Sequence, residues 1–363
     1  MVYYIRFLKP PRIHREKARS LSISSLITVM TDLGDSFLAE DSDLVVSLII
    51  EGSNKVLCQR TLNWKAGKRE LPISLGPLPE QLSQYSFILC VSTASPYHGK
   101  LQLADYLLGN SGIPLVISGW SPPFGGPQLS VAEKLVERRF GLEEGVTLRI
   151  WEETGNSIAR HIWDAALASV IYLHQAVSGS KIVTPQLLEL LNNRHKPFNA
   201  IELGSGCGIV GIALAELLPQ CSVLLTDLPE VEDIITRNTS TACLAPNSET
   251  QYQNLDWDEE LPHDLCNTSI DLILISDCTY NADSSPALVS VLRQLTRKSP
   301  KAIILVALKR RHDSEAVFFD LMQSAGFGAL DKDIVQLPSQ YGEFDHIEMY
   351  CYVLERASLE TTI

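Results

Sequence analysis

The chain has 363 residues, 45% hydrophobic and 20% charged, with a formal net charge of −13 and a pI near 5.1. That length allows one large domain and a smaller one, or two of similar size, with a full core. The acidic balance argues against direct nucleic-acid binding, because neutralising phosphates takes clustered Lys and Arg.

The opening segment, MVYYIRFLKPPRIHREKARS, lacks the apolar core of a secretion signal. No later run approaches the roughly 18 apolar residues of a membrane span. From Asp43 the pattern is β-type: DLVVSLII, a turn at EGSN, then KVLCQRTLNW, which predicts a hairpin. YSFILCVST and GIPLVISGW continue it, and Gly119–Gln128, GWSPPFGGPQ, marks a loop or linker. Residues 1–125 are therefore expected to form a β-rich accessory domain, and residues 126–363 a second domain.

In the second domain, strand and helix alternate. FNAIELG, CSVLLTD, QYQNLDW, IDLILISD, KAIILVAL and EMYCYVL read as strands. IVGIALAELLP, Leu228–Leu244, Ser285–Lys298 and SEAVFFDLMQSAG read as helices. Such alternation predicts a mostly parallel sheet with helices on both faces and a ligand at the carboxyl ends of the strands. The eight cysteines include no C-x-x-C pair, so a zinc ribbon has no support and no metal is expected. A reduced, cytoplasmic protein, with the nucleus as a second location, is the expectation, without a membrane partner.

The first strand of this domain runs into ELGSGCGIVG, with glycines at Gly204, Gly206, Gly208 and Gly211. Glycines there let the chain turn sharply and bring bare backbone against a ligand, before a helix whose first N–H groups face the site. The spacing alone suits either a dinucleotide or S-adenosylmethionine. Asp227, at the end of the second strand, could grip the ribose of either one. Glu202 breaks the tie: its carboxylate would repel a pyrophosphate but tolerates the ammonium and hydrogen-bonding network of a methionine-type ligand. Downstream, NLDW places Asp256 and Trp257 beside a potential adenine, and SDCTYN places Asp277 and Tyr280 three residues apart. Upstream, Trp163 and Asp164 open an apolar helix. LKRRHDSE, with Lys309, Arg310 and Arg311, reads as a solvated charge run outside the site. Cys207 and Cys278 read as small packing residues.

With these motifs in order, WDAAL, ELGSGCGIVGI, TDLPEV, NLDW and DCTY, the chain from about Val146 to Leu354 resembles the seven-β-strand protein lysine methyltransferases of methyltransferase family 16. The resemblance implies a Rossmann-like seven-stranded sheet whose last strand, EMYCYVL, runs antiparallel. It implies S-adenosyl-L-methionine as cofactor, held by Trp163, Glu202, Gly204, Ser205, Gly206, Asp227, Leu228, Asp256 and Trp257. It also implies that Asp277 and Tyr280, as a D-x-x-Y motif, line the approach of a lysine from another protein, which the net charge suggests is basic. A small-molecule N- or O-methyltransferase, or a non-catalytic subunit keeping the fold as a scaffold, are the alternatives. Residues 1–125 have no counterpart in the resemblance, and oligomeric state is not legible.

Overall fold

The computed structural model describes residues 1–16, 20–53, 55–94, 115–127, 129–143, 146–155, 157–179, 183–192, 197–338 and 345–355. The chain divides into two units, Met1–His161 with Leu337–Asp345, and Ile162–Gln336 with His346–Ile363. No helix among the described residues is long and apolar enough to cross a membrane.

The first unit is built from strands. They are β1 (Val2–Glu16), β2 (Ser20–Met30), β3 (Ser42–Ile50), β4 (Val56–Trp64), β5 (Leu71–Pro79) and β6 (Ser86–Thr93). After them come β7 (Leu115–Ile117), β8 (Gly119–Trp120), β9 (Phe124–Gly125), β10 (Leu135–Glu143) and β11 (Val146–Glu153). One sheet has the order β5-β2-β1-β7; the other runs β11-β10-β8-β6-β3-β4, with β9 also on β6. Alternate residues of facing strands, such as Tyr3, Ile5 and Phe7, Leu44, Val46 and Leu48, and Phe87, Leu89 and Val91, supply one shared core. That period of two is what makes a strand bury one face. The hairpin expected around EGSN forms, with Ser42 opposite Trp64.

The boundary falls later than residue 125. GWSPPFGGPQ is not a linker: Gly119 and Gly125 lie in strands, where a Cβ would come within 2.9 Å of Val136 Cγ2 and Phe87 Cδ2 respectively. Residues 135–153 belong with this unit as well. Glu137 pairs with Trp120, Val136 enters the core, and Arg138 donates to the Ser118 carbonyl at 2.9 Å and to the buried Glu152 carboxylate at 2.6 Å. Residues 112–114 of GIPLVISGW, and Gln128, lie outside the described residues.

The second unit alternates as the sequence implies. Helices α1 (Asp164–Val177) and α2 (Pro185–Asn192) precede β12 (Phe198–Leu203), α3 (Ile209–Leu217), β13 (Cys221–Asp227), α4 (Glu232–Thr241) and β14 (Glu249–Asn254). There follow α5 (His263–Asn267), β15 (Leu272–Ser276), α6 (Ser285–Lys298), β16 (Ile303–Leu308), α7 (Ala316–Ser324), β17 (Phe327–Gln336) and β18 (His346–Leu354). The sheet order is β14-β13-β12-β15-β16-β18-β17. The first five are mutually parallel, and β18 runs antiparallel to both β16 and β17. The expected antiparallel strand is therefore present, yet it does not close the sheet, because β17 lies outside it. The strand order reverses between β12 and β15, and the crevice at their carboxyl ends is where such sheets take ligands. Helix α4 is shorter than Leu228–Leu244; a 3-10 turn at Pro229–Val231 precedes it.

Candidate active site

Every sequence-predicted site residue of the second unit lies at the carboxyl ends of its parallel strands or, for Trp163, immediately before α1. Between β12 and α3 the chain turns through Gly204, Gly206 and Gly208, all in the left-handed region with φ of 67°, 55° and 77°. L-residues rarely adopt that conformation. At Gly204 the absence of a side chain also matters for space. A Cβ there would lie 2.6 Å from Cys278 Sγ and 3.3 Å from Trp257 Cζ2. The loop, NLDW and DCTY are thus packed on one another.

Asp227 fastens the turn. Its Oδ2 accepts the Gly206 N–H at 2.7 Å, and its Oδ1 accepts the Leu228 N–H at 2.7 Å. Burial raises its pKa above the ordinary aspartate value despite those two hydrogen bonds, and Glu230 adds to the rise. Ser205 is buried and ties the loop to β13, its N–H donating to the Thr226 carbonyl at 3.0 Å. Leu228 is 40% exposed beside it.

Glu202 does something the sequence did not reveal. Its side chain is buried, and Oε2 accepts the Gly211 N–H at 2.8 Å. Gly211 is the third residue of α3, whose own N-cap residue, Gly208, makes no side-chain cap. A carboxyl oxygen from the adjacent strand therefore satisfies one of the orphan amides at a helix start. Burial pushes the Glu202 carboxyl up to about 8, with the Asp227 charge adding and the Gly211 bond opposing. Gly211 itself has no room for a side chain: a Cβ would sit 2.4 Å from Leu225 Cδ2 and 2.7 Å from Glu202 Oε2.

Around this centre, Asp256 accepts the Asp258 N–H at 3.0 Å and so caps its own turn. Trp257 packs partly buried on the core of this unit. Cys278 is buried, its thiol directed at the Leu203 carbonyl at 3.4 Å. Burial raises its pKa far above the ordinary thiol value, followed by the Asp227 and Asp277 charges, as suits a packing residue rather than a nucleophile. Tyr280 is 58% exposed. Its phenol pKa is raised by partial burial first, then by Cys278 and the carboxylates of Asp227, Asp277 and Glu230.

Asp277 is a non-glycine residue at φ 57°, held by its N–H to the Ala307 carbonyl at 2.8 Å and by the Lys309 N–H to its Oδ1 at 3.2 Å. LKRRHDSE is not a solvated run. Lys309 pairs with Asp164 at 2.8 Å, Arg310 with Glu348 at 3.0 Å, and Arg311 with Asp277 at 2.8 Å. The Arg311 guanidinium also lies 5.3 Å from the centroid of the Trp163 ring, so it links Trp163 to Asp277. Sequence reasoning missed this because a run of cations looks the same whether each faces water or a different acid. It also missed Asn238, buried on α4, which donates to the Cys207 carbonyl at 2.8 Å. A buried-face Asn inside a helix was the available signal.

Residues 142–325 match the family described as lysine methyltransferase. A Schizosaccharomyces pombe protein of the UPF0665 family, C23C4.06c, is 27% identical over 87% of this chain and 91% of its own length. Protein-lysine N-methyltransferase EFM6 of Saccharomyces cerevisiae is 26% identical over 58% of this chain and 84% of its own. EEF1A lysine methyltransferase 3 of Xenopus tropicalis is 30% identical over 49% and 71%.

Proposed function

The chain belongs to the lysine methyltransferase family, and from that premise we propose how its residues divide the work. It is an S-adenosylmethionine-dependent methyltransferase that acts on lysine side chains of other proteins. The observation that carries the assignment of residues is the glycine turn itself. Bare backbone at Gly204 and Gly206, a helix start and the Asp227 carboxylate converge on one point at the switch in strand order.

This donor set fits the cofactor. In our reading the side-chain-free turn at Gly204 and Gly206 lets the methionine end of the cofactor approach the backbone beside the start of α3. Asp227 receives the ribose hydroxyls, while Leu228, Asp256 and Trp257 border the adenine. Trp163 closes over the cofactor, Ser205 fixes the loop, and Glu202 sets the helix beneath it. The cofactor supplies a methyl group activated on a sulfonium. The chain's own contribution is then positioning and exclusion of water for an in-line displacement. A lysine amine has a reference pKa near 10.4 and must be neutral to attack. We assign Asp277 to orienting the amine, and Tyr280, half in solvent, to the wall of its approach and a hydrogen bond to it.

A basic protein target is supported by how charge is distributed. The second unit holds 25 Asp and Glu against 13 Lys and Arg, whereas the first holds 18 against 17. A field of that sign steers basic partners toward the catalytic unit. We place the enzyme in the cytoplasm, with the nucleus as a second compartment.

The test is calorimetric titration with S-adenosylhomocysteine and NAD. Binding of the first and not the second is expected. Asp227→Ala should weaken it about tenfold to a hundredfold, the scale of hydrogen bonds to a charged group. Binding of neither, or an Asp227→Ala variant that binds as well as wild type, would defeat this assignment of the site.

A further inference from the structure

Three successive cations leave the end of β16, and each meets an acid from a different element. Asp164, the partner of Lys309, is fully buried at the start of α1. Glu348, the partner of Arg310, lies on β18 and also takes Lys332 at 3.2 Å and the Tyr350 hydroxyl at 2.5 Å. These two pairs knit the sheet end to its neighbours. Arg311 differs in what it touches. Its Nη1 donates to Asp277 at 2.8 Å and to the Lys309 carbonyl at 3.3 Å, while its guanidinium covers the Trp163 ring.

A carboxylate beside an aromatic face is the pair of groups that a lysine ammonium would itself seek. Arg311 thus holds the ligands of an alkylammonium. Its side chain is 21% exposed where that of Asp277 is 5% exposed, so the arginine reaches solvent more than the carboxylate it pairs with. Its guanidinium is also carried on a long stem that can turn aside.

We propose that Arg311 is a resident stand-in for the substrate amine: it occupies Asp277 and Trp163 in the substrate-free enzyme, and an incoming lysine displaces it. The proposal rests on the reading of Asp277 as the lysine-facing acid. It has a consequence for specificity. An amine arriving alone meets a neutralised ion pair and binds poorly, whereas a lysine within a basic protein brings other contacts that offset the displacement. Free lysine and small amines are rejected by competition rather than by shape.

The experiment needs neither cofactor nor a known target. Nα-acetyl-lysine amide is titrated into wild type, Arg311→Met, Arg311→Gln and Arg311→Lys. The Met and Gln variants should bind it about tenfold more tightly than wild type, and the Lys variant should stay close to wild type. Adding Asp277→Asn to Arg311→Met should abolish the gain. Equal or weaker binding in both neutral variants, or a gain that survives Asp277→Asn, overturns the proposal. A structural defect would not tighten binding. In the wild-type protein, saturating amide should also move the Arg311 Nε–H resonance, and an unmoved signal at saturation would count against displacement. S-adenosylhomocysteine is titrated separately into wild type: if it fails to bind, the reading of the site fails, while the amine comparison still decides on Arg311.

Discussion

Glu202 shows how one buried carboxyl can serve a loop without facing outward. Its pKa, pushed up to about 8 chiefly by burial, lies above the ordinary glutamate value, so the folded protein binds an extra proton between roughly pH 4.5 and 8. Stability should therefore fall as pH rises through that window. Glu202→Gln keeps an acceptor for the Gly211 N–H and removes the titration. Its Tm should change less than that of wild type between pH 5 and 9, and parallel Tm curves would rule out the buried titration. At Gly211, Ala should cost about 3 kcal/mol, at the upper end for overpacking, because the nearest obstacles are a strand side chain and this same carboxylate. Urea unfolding of the second unit measures it. Gly204→Ala combines a left-handed φ with a 2.6 Å approach to Cys278 Sγ; loss of S-adenosylhomocysteine binding in a protein that still folds is the expected outcome.

At the level of elements, the loop after β16 carries more organisation than its composition suggests. Lys309→Met strips the buried Asp164 of its ammonium partner, and should destabilise the second unit by about 3 kcal/mol, the lower end for breaking a buried pair. Adding Asp164→Asn should restore part of that loss. Full additivity in the double-mutant cycle would mean that the two do not interact. Much of the second unit was legible. Ser285–Lys298 forms as read, with Pro286 in its first turn and Arg297 and Lys298 in its last, and the glycine turn falls where a strand-to-helix switch requires it. Strand β17 was missed because most of its residues, Leu330 and Ile334 among them, are exposed, so no apolar alternation announces it. The linker was misread because glycine serves close packing between strands as readily as it serves a turn. The Glu202 bond to Gly211 and the pairing of Arg311 with Asp277 were not legible for a common reason: sequence gives a charge and its neighbours in the chain, and these partners lie 9 and 34 residues away.

Across the whole molecule, the excess negative charge resides almost entirely in the catalytic unit. Steering by such a field is screened once the Debye length falls below about 10 Å. With a basic protein substrate, kcat/KM should drop about tenfold between 50 and 300 mM NaCl, while affinity for S-adenosylhomocysteine changes about twofold or less. A flat salt profile would argue that the charge plays no part in recognition. The way the chain is partitioned has a bearing on how it is made. Leu337–Asp345 belongs to the first unit although most of the second is encoded before it. At translation rates of about 5–20 residues per second, the β-rich unit waits roughly 10–35 seconds for its final segment, during which the methyltransferase sheet is still emerging from the ribosome. Early chaperone contact would accordingly be concentrated on residues 1–161, and ribosome-bound chains stalled before residue 337 should show it.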